Sequence, residues 1–196
     1  MTKKINEDKY VLGIDSGFTC TGIALVKYSE GYIELVDFGY VLEQPNMKGE
    51  SECARTFAMA QDIVNTAIKI VGGATNNNDW TMAIEYVFYN LKNPKSLIMQ
   101  SRLLQAIEHT LISSYDDDCE FVMREYNPNT VKKSIAKSKA SKDEVRINVI
   151  DKVKITKPVM DAINLLSKPA AESIFDATAI AYTHIVLEEI ANNESE

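Results

Sequence analysis

The sequence predicts an α/β fold built on a mixed β-sheet, in which three antiparallel strands are followed by parallel strands and flanking helices. Apolar runs separated by short glycine turns open the chain, and they have the length and alternation of strands. Farther on, strand-like runs alternate with segments whose apolar residues recur at helical spacing. This order is typical of a hairpin meander whose sheet then grows by parallel crossovers.

The three opening strands are predicted to form a meander. The first strand covers residues 11–14, leads into Asp15 and is followed by a serine-glycine turn at 16–17. The second strand returns over residues 22–26, and the third lies within 31–43, where apolar and polar side chains alternate. A meander of this kind places its strands side by side in chain order.

Helices and strands alternate through the remainder of the chain. Each predicted helix has apolar residues recurring about every 3.6 positions, and Gly72 and Gly73 terminate the first one. The predicted elements are a helix at about 51–71, a strand at 80–88, a helix at 96–115, a strand at 119–126, helices at 129–139 and 141–153, and a last helix at about 169–191.

Composition predicts one globular domain. The 196 residues, 45% of them hydrophobic and 25% charged, suit a single unit at 1–196 with a core at about 10–190 and a short acidic tail. The N-terminal decapeptide is polar, and no apolar run reaches the roughly 18 residues of a membrane span. We therefore expect a cytoplasmic protein without membrane association. Three separated cysteines, Cys20, Cys53 and Cys119, predict buried free thiols rather than disulfides or a zinc site.

Charge is unevenly distributed along the chain. The net charge of -7 argues against coating nucleic acid through bulk electrostatics. However, one segment contains only basic charges, which predicts a local cationic face on an acidic protein. The segment runs from Pro128 to Lys142 and carries Lys132, Lys133, Lys137, Lys139 and Lys142.

Carboxylates occur where apolar elements end. Asp15 and Glu85 each lie at or near the end of a strand-like run, and Asp176 is embedded in an otherwise small or apolar helix. Glu172 and Ser173 both lie one turn before Asp176. Acids from separate elements, without a His or Cys cluster, favour Mg²⁺ or Mn²⁺ over zinc or iron. Two such ions would suit phosphodiester hydrolysis. The alternative is that each acid is structural, held by backbone amides or a lysine.

Four sequence blocks resemble those of the RuvC-type Holliday junction resolvases, which have a ribonuclease H-like fold. The resemblance runs from about residue 10 to residue 186, with the blocks in the family's order. The blocks are GIDSGFTCTG at 13–22, EYVFYNLKNPKSLIMQSR at 85–102, NPNTVKKSIAKSKASKDEV at 127–145 and FDATAIAYTH at 175–184.

The resemblance implies a homodimeric, Mg²⁺-dependent endonuclease acting on branched DNA, with two ions per site. It implies that Asp15, Glu85 and Asp176 are metal ligands. It also implies that Phe88 interacts with unpaired bases and that Lys132 and Lys142 contact phosphate. The resemblance brings in further DNA-binding candidates, which are Lys133, Lys139 and Arg102. The helix at 94–115 is the predicted dimer surface, because it has more apolar residues than the one face that packs on the core can hold.

The chain also departs from the family pattern. Ser16 stands where the family has Pro, Leu103 where it has Gly, and Ser173 where it has an acid or His. Glu172 is therefore assigned as the fourth metal ligand, with Ser173 as the alternative. A lysine-rich loop replaces a glycine-containing one, so forks and flaps are possible substrates beside four-way junctions.

Two other functions compete with the nuclease. Asp15, Gly17, Thr19 and Thr21 resemble the phosphate-binding hairpin of actin-like or sugar-kinase-type ATPases, but the chain has no second lobe of that kind. A catalytically inactive module would bind branched DNA without cutting it, because Ser173 leaves the metal site incomplete. His109 and His184 are interpreted as packing or surface residues.

Overall fold

The computed structural model describes residues 8–29, 31–44, 49–74, 80–86, 94–114 and 122–190. Strands and helices follow one another in a mixed α/β order. The strands are β1 (Lys9–Asp15), β2 (Cys20–Ser29), β3 (Tyr32–Leu42), β4 (Trp80–Glu85), β5 (Val122–Tyr126) and β6 (Lys154–Ile155). The helices are α1 (Glu52–Ala74), α2 (Pro94–Ser114), α3 (Pro128–Ile135), α4 (Lys142–Lys152), α5 (Lys157–Asn164) and α6 (Lys168–His184), which continues as a π-helix (Ile185–Ile190).

The strands form a single mixed sheet in the order β5-β4-β1-β2-β3-β6. β1, β2 and β3 pair antiparallel as the predicted meander. β4 pairs parallel with β1, and β5 parallel with β4, so the sheet grows on that side by crossovers. The predicted fold class is confirmed, and the meander places β1 in the interior of the sheet.

Each face of the sheet is covered by its own layer of helices. Leu12 and Ile14 of β1 point to the face covered by α1 and α2, whereas Val11 belongs to the core formed with α3, α4 and α6. This alternation follows from the two-residue period of a strand. Because both faces of β1 are covered, a polar group at its end lies at the edge of the core.

Helix α6 packs directly on the β1–β2 hairpin at two glycines. A Cβ atom on Gly13 would lie closer than 3.0 Å to the carbonyl oxygen of Ala177, and one on Gly22 would lie equally close to that of Ser173. Only glycine permits this approach between the helix and the sheet. The contact fixes the height at which Asp176 sits above the end of β1.

Some predicted details differ from the structure. The helix predicted at 129–139 ends at Ile135, and the following turn contains Lys139 with φ of 63°. The predicted single helix near the C-terminus is preceded by α5 and the short strand β6, which were not predicted. Both are too short for a periodic signal. None of the described helices is long and apolar enough to cross a membrane.

The predicted roles of cysteine and histidine are only partly confirmed. Cys20 is buried as expected, but Cys53 is exposed near the start of α1, so the prediction for that thiol is wrong. Cys119 lies outside the described residues. His109 is on the surface, and His184 is buried with its Nδ1 2.8 Å from the Tyr126 hydroxyl. These histidines have the predicted packing and surface roles.

Candidate active site

A cavity of about 260 Å³, which we call the carboxylate cavity, lies where the strand ends meet α3, α4 and α6. Its polar lining consists of three carboxylates and two lysines, which are Asp15, Glu85, Asp176, Lys132 and Lys142. The remaining lining is apolar apart from its backbone and consists of Pro128, Val131, Val145 and Ile180. The structure therefore gathers, from five elements, five side chains that were predicted separately from the sequence.

Sheet topology accounts for the proximity of the first two acids. β1 and β4 are parallel neighbours, with Ile14 opposite Ile84. Asp15 and Glu85 are the next residues on each strand, so both side chains lie at the same edge of the sheet. Asp176 reaches this edge from α6 because the helix packs closely on the hairpin.

The three acids have raised pKa values. Burial raises the pKa of Asp15 from its ordinary value of 3.8 to about 8, and repulsion from Asp176 and Glu85 adds to the effect. Burial followed by the charge of Asp176 raises the pKa of Glu85 to about 7. The pKa of Asp176 is also raised, mainly by burial. The acids disfavour one another's ionised forms, and a cation placed among them would relieve this repulsion.

Lys142 is the cation that lies against these acids. Its Nζ is 3.3 Å from Asp176 Oδ2 and 3.4 Å from Glu172 Oε2. Burial alone would lower the pKa of Lys142, but attraction by Asp176, Asp15 and Glu172 raises it overall. Lys132 acts from the other side and lowers the pKa of Glu85 and Asp176. Both lysines therefore face the carboxylates.

Local helix signals place the two lysines. Ser141 caps α4 in a capping box with Glu144, which makes Lys142 the first residue of the helix. Lys137 forms an ion pair with Glu144 and ties the preceding loop to this cap. Asn127 caps α3, and Pro128 occupies its first turn, so that Lys132 falls on the face toward the cavity.

The two candidates for the fourth ligand lie in different surroundings. Ser173 is buried, and its side chain interacts with Asp15, which opposes part of the rise in the pKa of that carboxyl. Glu172 contacts Lys142 and also lies 3.7 Å from the Nζ of Lys168, and neither Glu172 nor Ser173 is among the residues that line the carboxylate cavity. Ser173 therefore faces the acids, and Glu172 faces the lysines.

One further residue belongs to the surroundings of the site. The Cys20 thiol, at the start of β2, interacts with the Ser173 side chain, and burial raises its pKa. The sequence predicted only a buried thiol here, because nothing in its local pattern indicates the packing of α6.

The donor chemistry of the cavity fits a hard divalent cation. Three carboxylates supply oxygen ligands of the kind that Mg²⁺ and Mn²⁺ prefer. Among the residues that the structure describes, no three acidic, His or Cys side chains converge closely enough to enclose an ion in their present rotamers. The acids share the cavity with the Lys142 ammonium, which supplies the positive charge that offsets them.

The remaining candidates for DNA binding are dispersed. Lys133 and Lys139 are exposed members of the basic segment that also contains Lys132, and neither lines the cavity. Arg102 lies on α2, on the opposite face of the sheet, where its Nη1 is 2.8 Å from Glu52 Oε1. Phe88 lies outside the described residues. The cavity therefore brings together Lys132 and Lys142 but not Arg102.

Comparison with known proteins identifies relatives over nearly the whole chain. The family model described as crossover junction endodeoxyribonuclease RuvC matches residues 11–184. The RuvC of Alkaliphilus oremlandii is 25% identical over 174 residues, which are 89% of this chain and 91% of that protein. The RuvC of Orientia tsutsugamushi is 27% identical over 181 residues, 92% and 97% of the two chains.

A solved structure matches the fold. Thermus thermophilus RuvC in complex with a Holliday junction substrate has a TM-score of 0.63 and 20% sequence identity, and the match covers 93% of this chain and 96% of that chain. The likeness confirms the ribonuclease H-like arrangement predicted from the element order.

Proposed function

The chain belongs to the RuvC family of crossover junction endodeoxyribonucleases, and we propose that it is a structure-selective endonuclease that resolves Holliday junctions or other branched DNA. The observation that carries this proposal is the single cavity lined by Asp15, Glu85, Asp176, Lys132 and Lys142. Carboxylates from three elements beside two lysines are suited to a phosphodiester and its metal ions.

The nucleases of this family are metal-dependent, and we propose Mg²⁺ as the metal, two ions per site, with Mn²⁺ as a substitute. Asp15, Glu85 and Asp176 would hold the ions. When bound, they would activate a water molecule and stabilise the departing 3′ oxygen, which leaves 5′-phosphate and 3′-hydroxyl ends. For the fourth ligand, the burial of Ser173 and its interaction with Asp15 support Ser173, and the two lysine contacts support a charge-positioning role for Glu172.

The lysines are proposed to bind the DNA backbone. Lys142 lies against Asp176, so it can approach a phosphate held at that carboxylate and neutralise part of its charge. Lys132 is proposed to act in the same way from the α3 side of the cavity. Lys133 and Lys139 extend this basic surface, and Phe88 is proposed to stack on an unpaired base.

A homodimer is proposed as the active form. Resolution of a four-way junction needs two cuts placed symmetrically, and two copies of one chain related by a twofold axis supply two such sites. The proposed dimer surface is the exposed side of α2, where Ile98 is 50% and Ile112 is 62% exposed.

The test of this function is a cleavage assay with labelled four-way, three-way and linear duplex DNA, in Mg²⁺ or in EDTA. We expect cutting of branched DNA only, only with metal, and its loss in Asp15→Asn. Asp161→Asn, which removes an exposed acid of α5, is the matched control and should cut normally. Binding of junctions without cutting would favour the inactive module instead, and ATP hydrolysis without DNA dependence would favour the ATPase.

A further inference from the structure

A second cavity, of about 330 Å³, adjoins the carboxylate cavity. The two cavities share Lys142 and Asp176 as lining residues. The second one lies between α4, the residues that link α5 to α6, and the first turns of α6, and we call it the α4–α6 groove. Its other lining residues are Asp143, Arg146, Ile163, Asn164, Leu166, Lys168, Ala171, Glu172 and Phe175. Its volume lies within the range of small-ligand sites.

The charged lining of the α4–α6 groove consists of three basic and three acidic side chains, so its charges balance. Glu172 and Asp176 are each within 4.0 Å of a lysine ammonium, at Lys142 or Lys168. Within the described part of the chain, Arg146 has no carboxylate at ion-pair distance. Its guanidinium lies instead over the Phe175 ring, 5.3 Å from the ring centroid. A guanidinium that packs over an aromatic ring without an ion-pair partner keeps donors available to a ligand.

The walls of the groove are partly apolar. Ile163 and Phe175 are buried and Leu166 is half-buried, so part of the groove wall is nonpolar beside its charged residues. A nucleotide has the same division, since its phosphate is anionic and its sugar and base have apolar faces. The groove therefore fits a nucleotide better than a free anion or a wholly apolar molecule.

We propose that the α4–α6 groove binds the nucleotide next to the scissile phosphate on the cleaved strand. The inference rests on the proposed nuclease function. A phosphate at Asp176 and Lys142 lies at the junction of the two cavities, so the strand continues from there into the groove. Arg146 contacts the neighbouring phosphate, and Lys168 adds a second positive charge at the entrance, where its side chain is 83% exposed.

The test measures binding separately from cleavage. In the Asp15→Asn background, the affinity for a labelled four-way junction is followed by fluorescence anisotropy over a range of salt concentrations. We expect Arg146→Gln to raise Kd about tenfold and to reduce the slope of log K against log salt by about 0.9, the value for one lost phosphate contact. Arg146→Lys should keep the slope, because it retains the charge.

Arg124→Gln is the matched control. Arg124 is exposed on β5 and lines neither cavity, so the same substitution there should change Kd less than twofold. Equal effects of the two glutamine variants, or no effect of either, would overturn the proposal. The unmutated chain, assayed for junction cleavage in parallel, reports on the nuclease function alone. Absence of cleavage with a retained Arg146 effect would refute that function and leave the groove as a DNA-binding site.

Discussion

At the scale of single residues, Asp15 combines a structural cost with a proposed role in metal binding. Its pKa rises from 3.8 to about 8 because it is buried beside two other acids. Between about pH 4 and pH 8 the folded protein therefore keeps a proton on Asp15 that the unfolded chain has already released. The metal-free fold consequently loses stability as the pH rises through that window. A bound cation would remove most of this penalty.

The first prediction is that Asp15→Asn stabilises the metal-free protein. In EDTA at pH 8 we expect a gain of about 2 kcal/mol, which corresponds to a rise in Tm of about 4–8 °C for a chain of this size. The gain should vanish below about pH 3, where the carboxyl is largely protonated in both states. Thermal unfolding at the two pH values measures it, with Asp161→Asn as the control. An unchanged Tm at pH 8 would show that neither burial nor the neighbouring acids destabilise the Asp15 carboxylate.

The second prediction separates the two candidates for the fourth ligand. The Ser173 side chain interacts with Asp15, whereas Glu172 contacts two lysines. We expect Ser173→Ala to raise the Mg²⁺ concentration needed for half-maximal thermal stabilisation about tenfold, as for other groups that orient metal ligands. Glu172→Gln should change it less than threefold.

The measurement for this pair is a Mg²⁺ titration of the DNA-free protein followed by thermal shift, with cleavage as the second readout. Asp176→Asn is the positive control and should show the largest loss of Mg²⁺ affinity. A tenfold rise for Glu172→Gln with a normal Ser173→Ala would reverse the assignment and make Glu172 the ligand.

At the scale of elements, the packing of α6 on the hairpin determines whether the site assembles. The carbonyl oxygens of Ser173 and Ala177 occupy the space that side chains at Gly22 and Gly13 would need. Backbone atoms cannot move aside as a flexible side chain can, so any larger residue must push the helix outward. Such a shift would move Asp176 away from Asp15.

The third prediction compares two glycines. Gly22→Ala should destabilise the protein by about 3 kcal/mol and weaken Mg²⁺ binding, because it displaces α6. Gly72→Ala, at a position in α1 where a Cβ would meet nothing within 4 Å, should stabilise it by about 0.5–1 kcal/mol. Urea unfolding measures both values. If Gly22→Ala proves neutral, the close approach of α6 is not needed for folding.

The same elements show what the sequence can predict. The meander and the strand-end positions of Asp15 and Glu85 follow from local apolar patterns, so they were predictable. Glu172 and Ser173 are both one turn from Asp176, and only the contact of α6 with the hairpin makes their surroundings differ. Likewise, the exposure of Cys53 and the pairing of Arg102 with Glu52 depend on how α1 and α2 pack, which no local pattern encodes.

At the scale of the whole molecule, the two helical layers have different tasks. The layer formed by α3, α4 and α6 contributes Lys132, Lys142 and Asp176 to the carboxylate cavity. The layer formed by α1 and α2 contributes none of the residues that line it. The outer surface of the α1–α2 layer is therefore available for dimer formation without obstructing access of DNA to the carboxylate cavity.

The last prediction concerns that outer surface. Ile112 on α2 is 62% exposed, and Ile147 on α4 is similarly exposed at 64%. If α2 forms the dimer interface, Ile112→Lys places a charge in an apolar contact and should weaken dimerisation at least tenfold, whereas Ile147→Lys should leave it unchanged. Light scattering coupled to size-exclusion chromatography measures the masses over a range of concentrations.

Cleavage products of the same two variants give an independent readout. A monomer keeps its own carboxylates and lysines, so Ile112→Lys should still nick branched DNA but lose the simultaneous second nick that converts a junction into two linear duplexes. A cruciform plasmid distinguishes these results, because one nick relaxes it and paired nicks linearise it. Dimer loss in Ile147→Lys alone would move the interface to α4, and a monomeric parent chain that still linearises the plasmid would show that paired cutting needs no stable dimer.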